Sequence, residues 1–209
     1  PLVGKVTVLN THHHRDHTGG NLAIKEAFEA EIVGPAKERI PGIDRALVEG
    51  DTVYIGDSLQ CRVIDIPGHT AGHIGYVFDD MVFVGDTLFG HGCGALFEGS
   101  PLQMWNSLTK ISDLHPNTLV FCAHEYTLSN VLFAIDVFPD NAELKSVYAE
   151  VKRLRDSGEQ TVPSLLQQEL NTNPFLQARL PEIQARFHKG DAIETFAHLR
   201  QTKDAWKLT

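Results

Sequence analysis

Three cysteines, Cys61, Cys93 and Cys122, are all that the chain carries, widely spaced and with no CxxC pair. That excludes a disulfide framework and a thiolate-based zinc site, and the expected compartment is a reducing one, the cytoplasm. No apolar run approaches the ~20 residues that cross a bilayer, and no stretch has the make-up of a signal peptide. Basic clusters are missing as well: 18 Lys and Arg stand against 27 Asp and Glu, a formal charge of −9. This speaks against nucleic acid and anionic membrane surfaces as partners, but leaves room for an anionic small molecule held by a few local cations. Internal repeats and low-complexity tracts are absent too. At 42% hydrophobic and 22% charged over 209 residues, the composition is that of a globular protein with one large domain, or one domain and a smaller one.

Histidine is plentiful by contrast, and the run THHHRDH at 11–17 packs His12, His13, His14, Asp16 and His17 into seven positions. One or two such residues on a surface are ordinarily just solvated. Five potential ligands in one segment call for a metal, provided other segments supply further ligands.

Short runs rich in Val, Ile and aromatics fill the first part of the chain. KVTVLN (5–10), EIVG (31–34), DTVYIG (51–56), LQCRVIDI (59–66), IGYVF (74–78), MVFVG (81–85) and NTLVFCA (117–123) all have the pattern of strands. Helices are expected from Asn21, read as an N-cap, and from Ser100 with Pro101 at the first helical position. Beyond residue 126 the periodicity becomes helical. Leu144, Val147, Tyr148, Val151 and Leu154 recur at helical spacing between a cap at Asp140 or Asn141 and Gly158. Another helix follows Asp191. The expected architecture is α/β (α+β): a metal-binding domain over about 1–125 and a helical domain over about 126–209.

Four of the strands are followed within a few residues by a potential ligand: KVTVLN by His12, His14, Asp16 and His17; RVIDI by His69; VFVG by Asp86; LVFCA by His124. Loops at strand ends are where layered α/β proteins gather functional side chains. Imidazole and carboxylate suit zinc, with iron or manganese as alternatives. If the loop after His12 is extended, His12, His14 and Asp16 share one side by period-two alternation, and two metal positions can be fed. Asp86 has two oxygens and can bridge them. His13, His73, His91, His115, His188 and His198 are read as ordinary structural or surface residues, with His73 a candidate to support the site from behind.

Together, and in this order, THHHRDH, PGHTAGH, VGDTLF and CAHEYT resemble the metallo-β-lactamase superfamily. GCGALFEG (92–99), TNPFL (172–176) and LRQTKD (199–204) resemble one branch of it, glyoxalase II, the hydroxyacylglutathione hydrolases. The resemblance implies an αββα sandwich followed by a helical domain that helps hold glutathione. It implies a first metal on His12, His14 and His69, a second on Asp16, His17 and His124, with Asp86 and a hydroxide bridging them. It assigns Tyr126, Arg200 and Lys203 to the thiol part of the substrate. The implied reaction is hydrolysis of a glutathione thioester, S-D-lactoylglutathione to D-lactate and glutathione, by a monomer. Asp16 orients the attacking hydroxide, and a thiolate of pKa ~8.5 leaves without a dedicated general acid.

Two departures stand out. Ala95 occupies a position where the family usually has a basic residue, and Phe97 one where some members have tyrosine. A charge-assisted contact is worth ~1.5–3 kcal/mol, so weaker glutathione binding or a different thiol follows. The chain also begins almost directly at the strand before THHHRDH, where family members carry further strands; a fragment or a reduced N-terminal sheet is expected. The competing readings are another hydrolase of the superfamily and an inactive metal-binding fragment.

Overall fold

Alternation along the strands explains the layering. On the strand from 59 to 65, Cys61 and Val63 join one buried cluster while Ile64 joins the other; on the strand from 81 to 85, Val82 and Val84 face the second cluster and Met81 the first. A sheet apolar on both faces must be covered on both. The computed structural model, which describes residues 4–207, does this with a second sheet on one side and helices on the other.

The elements run β1 (Thr7–Leu9), α1 (Arg15–Thr18), α2 (Asn21–Phe28), β2 (Glu31–Pro35), β3 (Arg45–Leu47), β4 (Thr52–Ile55), β5 (Leu59–Asp65), β6 (Ile74–Val77), β7 (Met81–Gly85), β8 (Leu88–Phe89), β9 (Gly92–Cys93), α3 (Pro101–Ser112) and β10 (Leu119–Cys122). They continue with α4 (Thr127–Val137), α5 (Ala142–Asp156), β11 (Ser164–Leu165), α6 (Leu166–Thr172), α7 (Pro174–Gln177), α8 (Pro181–Arg186) and α9 (Ala192–Ala205). The smaller sheet has the order β1-β2-β3, all parallel; the larger has the order β11-β10-β7-β6-β5-β4; β8 and β9 form a short hairpin. Val33 and Leu47 of the smaller sheet pack on Val53, Val63, Ile74 and Tyr76 of the larger. Helix α2 covers β2 from outside, and α3 places Met104, Leu108 and Ile111 on the opposite face of the larger sheet. This is the expected αββα sandwich.

The helical region after residue 126 is not a detached body. Strand β11 pairs with β10, and Phe133, Leu166, Phe175, Phe196 and Leu199 share one cluster with Ile66, Val84 and Met104. One continuous core thus crosses the boundary placed at 125. No helix among the described residues is long and apolar enough to cross a membrane.

Capping follows the sequence except at one place. Ser100 and Gln103 form a reciprocal capping box at α3, Asn141 caps α5, and Asp191 caps α9. Asn21 does not cap α2; Gly20 does, and Asn21 is its first residue. The Asn21 side chain is used elsewhere. It is buried and donates to Asn10 Oδ1 at 2.7 Å and to the Pro41 carbonyl at 3.1 Å, while Asn10 Nδ2 donates to the His17 carbonyl at 3.1 Å. A buried amide pair thereby fixes the loop of THHHRDH, a demand that outweighs the gain from a surface cap.

Candidate metal centre

Strands β5, β7 and β10 run in one direction: β5 and β7 each pair antiparallel with β6, and β7 pairs parallel with β10. Their carboxyl ends therefore share an edge, and His69, Asp86 and His124 project from it. The loop after β1 arrives at the same edge. Its course is set by the Tyr76 hydroxyl, which donates to the Asn10 carbonyl at 2.6 Å, and by the Ile74 N–H, which donates to the Thr11 carbonyl at 2.9 Å. Gly85 turns the chain at φ +49°, and a side chain there would strike Thr11 and His73; only glycine lets β7 end so close to the loop.

The loop is not extended to its end. Arg15–Thr18 form a helical turn with His14 as N-cap, because the Thr18 hydroxyl and the backbone N–H groups of His17 and Thr18 bond back to the His14 carbonyl. Period-two alternation consequently stops at His14, and Asp16 does not share a side with His12 and His14. Donor atoms collect in three overlapping groups: His12, His14 and His69; His12, His17 and Asp86; Asp16, His17 and His124. His14 Nδ1 lies 3.1 Å from both His12 Nε2 and His69 Nε2. Asp16 Oδ2 lies 3.4 Å from His17 Nε2 and 3.2 Å from His124 Nε2. Asp86 stands between: Oδ1 is 3.3 Å from His17 Nε2, and Oδ2 is 3.4 Å from both His69 Nε2 and His124 Nε2.

This donor set fits divalent metal. Among the three converging imidazole nitrogens, a single proton on His14 Nδ1 would have to serve both His12 Nε2 and His69 Nε2, whereas one metal ion can accept all three lone pairs. Two cluster atoms, His17 Nε2 and Asp86 Oδ1, are buried and face each other at 3.3 Å without a well-aligned hydrogen bond to any group, a weakly satisfied pair that a cation between them would meet fully. The outward nitrogens are held as a metal ligand requires. His69 Nδ1–H donates to the Ala95 carbonyl at 2.9 Å, leaving the Nε2 lone pair to point inward. His73, stacked on His12 with ring centroids 4.5 Å apart, accepts the Asp86 N–H at Nε2 (3.1 Å) and donates from Nδ1 to the Ile74 carbonyl. It thus supports both His12 and Asp86.

Electrostatics point the same way. Burial, reinforced by the surrounding imidazoles, holds His12 far below the usual histidine range, and burial lowers His73 to about 3 and also lowers His69. The lowered pKa values favour the neutral imidazole, the form in which His12 and His69 can ligate. For His17 burial works downward, but the bond and charge of Asp86 and the charge of Asp16 prevail and raise it; for Asp86 burial works upward, and His17 prevails and lowers it. The carboxylate stays ionised.

The cluster floors a groove of about 440 Å³ lined by His14, Arg15, Asp16, His69, Asp86, Phe89, Ala95, Phe97, His124 and Tyr126. Tyr126 stacks on the His124 ring at 5.1 Å, and Phe97, largely exposed, covers His69 at 5.1 Å and His14 at 5.8 Å. A larger cleft, about 490 Å³, lies between the two sheets, but Leu9, Ile55, Phe78, Met81, Phe83 and Phe121 line it, and His17 is its only contact with the cluster. The groove, unlike the cleft, joins the His and Asp donors to apolar walls, the usual make-up of a small-molecule site.

Arg200 and Lys203 lie elsewhere. Arg200 is buried; it donates to the Cys93 carbonyl at 2.8 Å and to Asp204 at 2.8 Å, with its guanidinium over Phe175. Lys203 Nζ sits over Phe133 and Trp206, 3.4 Å from the Ser129 carbonyl, and burial, then Arg200, lowers its pKa to about 8. Neither lines the groove. Sequence reasoning missed Glu38 and Glu98, which flank His13. The signal was available for Glu38: it follows β2, which runs parallel to β1 and ends at the same edge.

Residues 6–124 match the family described as the metallo-beta-lactamase superfamily, and residues 125–206 match the hydroxyacylglutathione hydrolase C-terminus. The chain is 50% identical over 206 residues to the hydroxyacylglutathione hydrolase of Methylococcus capsulatus, covering 96% of this chain and 80% of that one. It is 51% identical over 203 residues to that of Rhodospirillum rubrum, covering 94% and 79%. Among solved structures, it superposes on ETHE1 from Myxococcus xanthus with a TM-score of 0.66 at 25% identity, over 94% of this chain and 68% of that one. It superposes on the BLEG-1 B3 metallo-beta-lactamase with a TM-score of 0.59 at 22% identity, over 82% and 77%, a likeness of fold. By its sequence over nearly its whole length, and by its two-sheet scaffold with a histidine–aspartate cluster at the strand ends, the chain belongs to the hydroxyacylglutathione hydrolase family of the metallo-β-lactamase superfamily.

Proposed function

We propose that the chain hydrolyses a glutathione thioester, S-D-lactoylglutathione, to D-lactate and glutathione on a pair of zinc ions. His12, His14 and His69 would hold the first ion, Asp16, His17 and His124 the second, and Asp86 both. Bound there, two divalent ions supply hydroxide at neutral pH and polarise the thioester carbonyl. Asp16, on the groove side of the cluster, accepts a hydrogen bond from the attacking water and orients it. Phe89, Phe97 and the Tyr126 ring give the acyl group an apolar wall along the groove. Tyr126 offers its hydroxyl to the thiol portion, and Arg200 and Lys203, which do not line the groove, would meet the glutathione carboxylates only where these extend beyond it. As the new C–O bond forms and the C–S bond breaks, the sulfur leaves as thiolate. Among the described residues, the carboxylates lining the groove are Asp16 and Asp86, both of them in the donor groups, in keeping with a leaving group of pKa ~8.5 that needs no general acid.

The observation that carries this reading is the sharing of Asp86 by the two donor groups at the floor of the groove. The test is a zinc-loaded chain, its metal content measured, supplied with S-D-lactoylglutathione while free thiol is followed with a chromogenic disulfide. Thiol release that stops on chelation is expected. A chain holding two zinc ions that releases no thiol refutes it. Ala95 in the groove wall favours one second reading, a thioester of another thiol, which the same assay separates by comparing acyl groups on glutathione and on coenzyme A. Three widely spaced cysteines, none paired with another, favour a cytoplasmic setting; the monomeric state belongs to the same proposal and is tested by light scattering.

A further inference from the structure

One buried carboxylate touches two of the ligand-bearing loops without touching a proposed ligand. Glu38 has a side chain only 3% exposed. Its Oε1 accepts from the Thr70 hydroxyl and from the Gly72 N–H at 3.0 Å; its Oε2 faces His13 Nδ1 at 3.0 Å. Thr70 and Gly72 follow His69, and His13 lies between His12 and His14. Glu98, in the loop that carries Ala95 and Phe97, braces the same junction: it accepts the Ala71 N–H at 2.8 Å and lies 3.4 Å from His13 Nε2.

The first donor group needs such a brace. His12 and His14 come from one loop and His69 from another, and the three nitrogens must meet within a few tenths of an ångström for a metal to be held. The backbone bond from Ile74 to Thr11 ties the start of the first loop to the end of the second, where it enters β6. Glu38 ties them again at His13 and at Thr70–Gly72. A buried carboxylate with donors on both oxygens is rigid, because each donor would be stranded if it moved.

We propose that Glu38 is a positioning residue of the metal centre: through His13, Thr70 and Gly72 it sets the spacing of His12 and His14 against His69. This rests on the metal reading above. A rival role uses the same atoms, since His13, Glu38 and Glu98 could themselves gather around a cation. The hydrogen bonds already occupying both Glu38 oxygens favour the brace.

The experiment compares wild type with Glu38→Ala, Glu38→Gln, Thr70→Val and the Glu38→Ala/Thr70→Val double variant. Zinc affinity is measured by competition with a chromophoric chelator, ligand geometry by the visible spectrum of the cobalt(II) form, and kcat and KM on the zinc-loaded protein. Wild type should bind two zinc ions. Glu38→Ala should lower the affinity for one of them roughly 10- to 100-fold, change the cobalt absorption, and reduce kcat while KM stays within about twofold. Glu38→Gln keeps an acceptor for Gly72 and Thr70 and should recover part of the affinity. Thr70→Val should add nothing once Glu38 is alanine. If Glu38→Ala does not fold, Glu38→Gln and Thr70→Val carry the test, each with a smaller loss of zinc affinity. Wild-type affinity and an unchanged cobalt spectrum in folded Glu38 variants overturn the proposal. Three zinc ions in wild type and two in Glu38→Ala overturn it in favour of a cation site. Two tightly held zinc ions with no thioester turnover in wild type sink the proposed reaction alone, and the zinc and cobalt readouts still judge the brace. A wild type that takes up no zinc overturns both.

Discussion

Chelation should melt this protein far below its zinc-loaded form, and the size of the drop should report how many donor groups are intact. A ligand that binds only the folded state stabilises it by about 2.7 kcal/mol at a hundred times its dissociation constant and about 4.1 kcal/mol at a thousand times. Two ions then contribute about 5–8 kcal/mol together, and at 2–4 °C per kcal/mol for a chain of this size the melting temperature should fall roughly 10–30 °C when they are removed. The geometry grades the effect. His14 belongs only to the group with His12 and His69, and His124 only to the group with Asp16 and His17; alanine at either should leave about half of the zinc-dependent rise. Asp86 reaches His17 through one oxygen and His69 and His124 through the other. In Asp86→Asn one of those oxygens becomes an N–H donor: at the Oδ1 position it faces His17 of one donor group, and at the Oδ2 position it faces His69 and His124, one from each group. The rise should then be no larger than that of either histidine variant. Differential scanning fluorimetry with and without zinc, alongside metal analysis, measures all four proteins. A zinc-dependent rise in Asp86→Asn equal to that of wild type would refute the shared position of Asp86, and no rise in wild type would refute the metal centre itself.

Three further outcomes follow from particular contacts. Ala95→Lys returns a cation to the groove wall and should lower KM for glutathione thioesters about tenfold, the low end of a charge-assisted bond because the groove is open to solvent; steady-state kinetics decide it. Lys203, lowered to about 8 by burial and Arg200, is charged below that pH and neutral above it; if it meets a substrate carboxylate, kcat/KM should fall as pH rises through about 8, and Lys203→Arg, charged throughout, should lose that step. A side chain at Gly94 would overlap the Asp86 carbonyl oxygen, so Gly94→Ala should displace Asp86 and reduce bound zinc toward one ion per chain, whereas Gly190→Ala, with only the tip of Glu194 nearby, should hold two.

Much of this was legible beforehand because local rules governed it. The strands expected at 59–66, 74–78 and 81–85 alternate or run apolar, and they form β5, β6 and β7 with ends shifted by at most one residue. The caps at Ser100, Asn141 and Asp191 are side-chain bonds within three residues, so sequence contains all of their partners. What escaped depended on partners far along the chain. Asn21 is drawn from its cap by Asn10 and Pro41. Strands β3, β8, β9 and β11 are two or three residues long and exist only through their neighbours. The end of THHHRDH turns helical because its backbone closes on His14, which period-two reasoning does not foresee. Glu38 is a charged loop residue like any other until folding brings Thr70, Gly72 and His13 around it.

The position of Arg200 gives the helical region a part in the site that its sequence motif alone does not convey. Its guanidinium grips the Cys93 carbonyl, stacks over Phe175 and pairs with Asp204 on its own helix. Cys93 ends the β8–β9 hairpin, and the next residue, Gly94, lies directly against Asp86. Asn173 reaches the same hairpin from the start of α7, donating to the Gly92 carbonyl at 3.0 Å and to Glu169 at 2.9 Å, while Glu169 accepts the His91 N–H. Two helical segments beyond residue 165 thus clamp the hairpin that backs the shared carboxylate. The core common to both regions therefore carries contacts beyond packing: it holds the hairpin whose Gly94 lies against Asp86. Any direct contact of Arg200 with substrate must be made from within that clamp, by exchanging Asp204 for a substrate carboxylate while Cys93 stays bound.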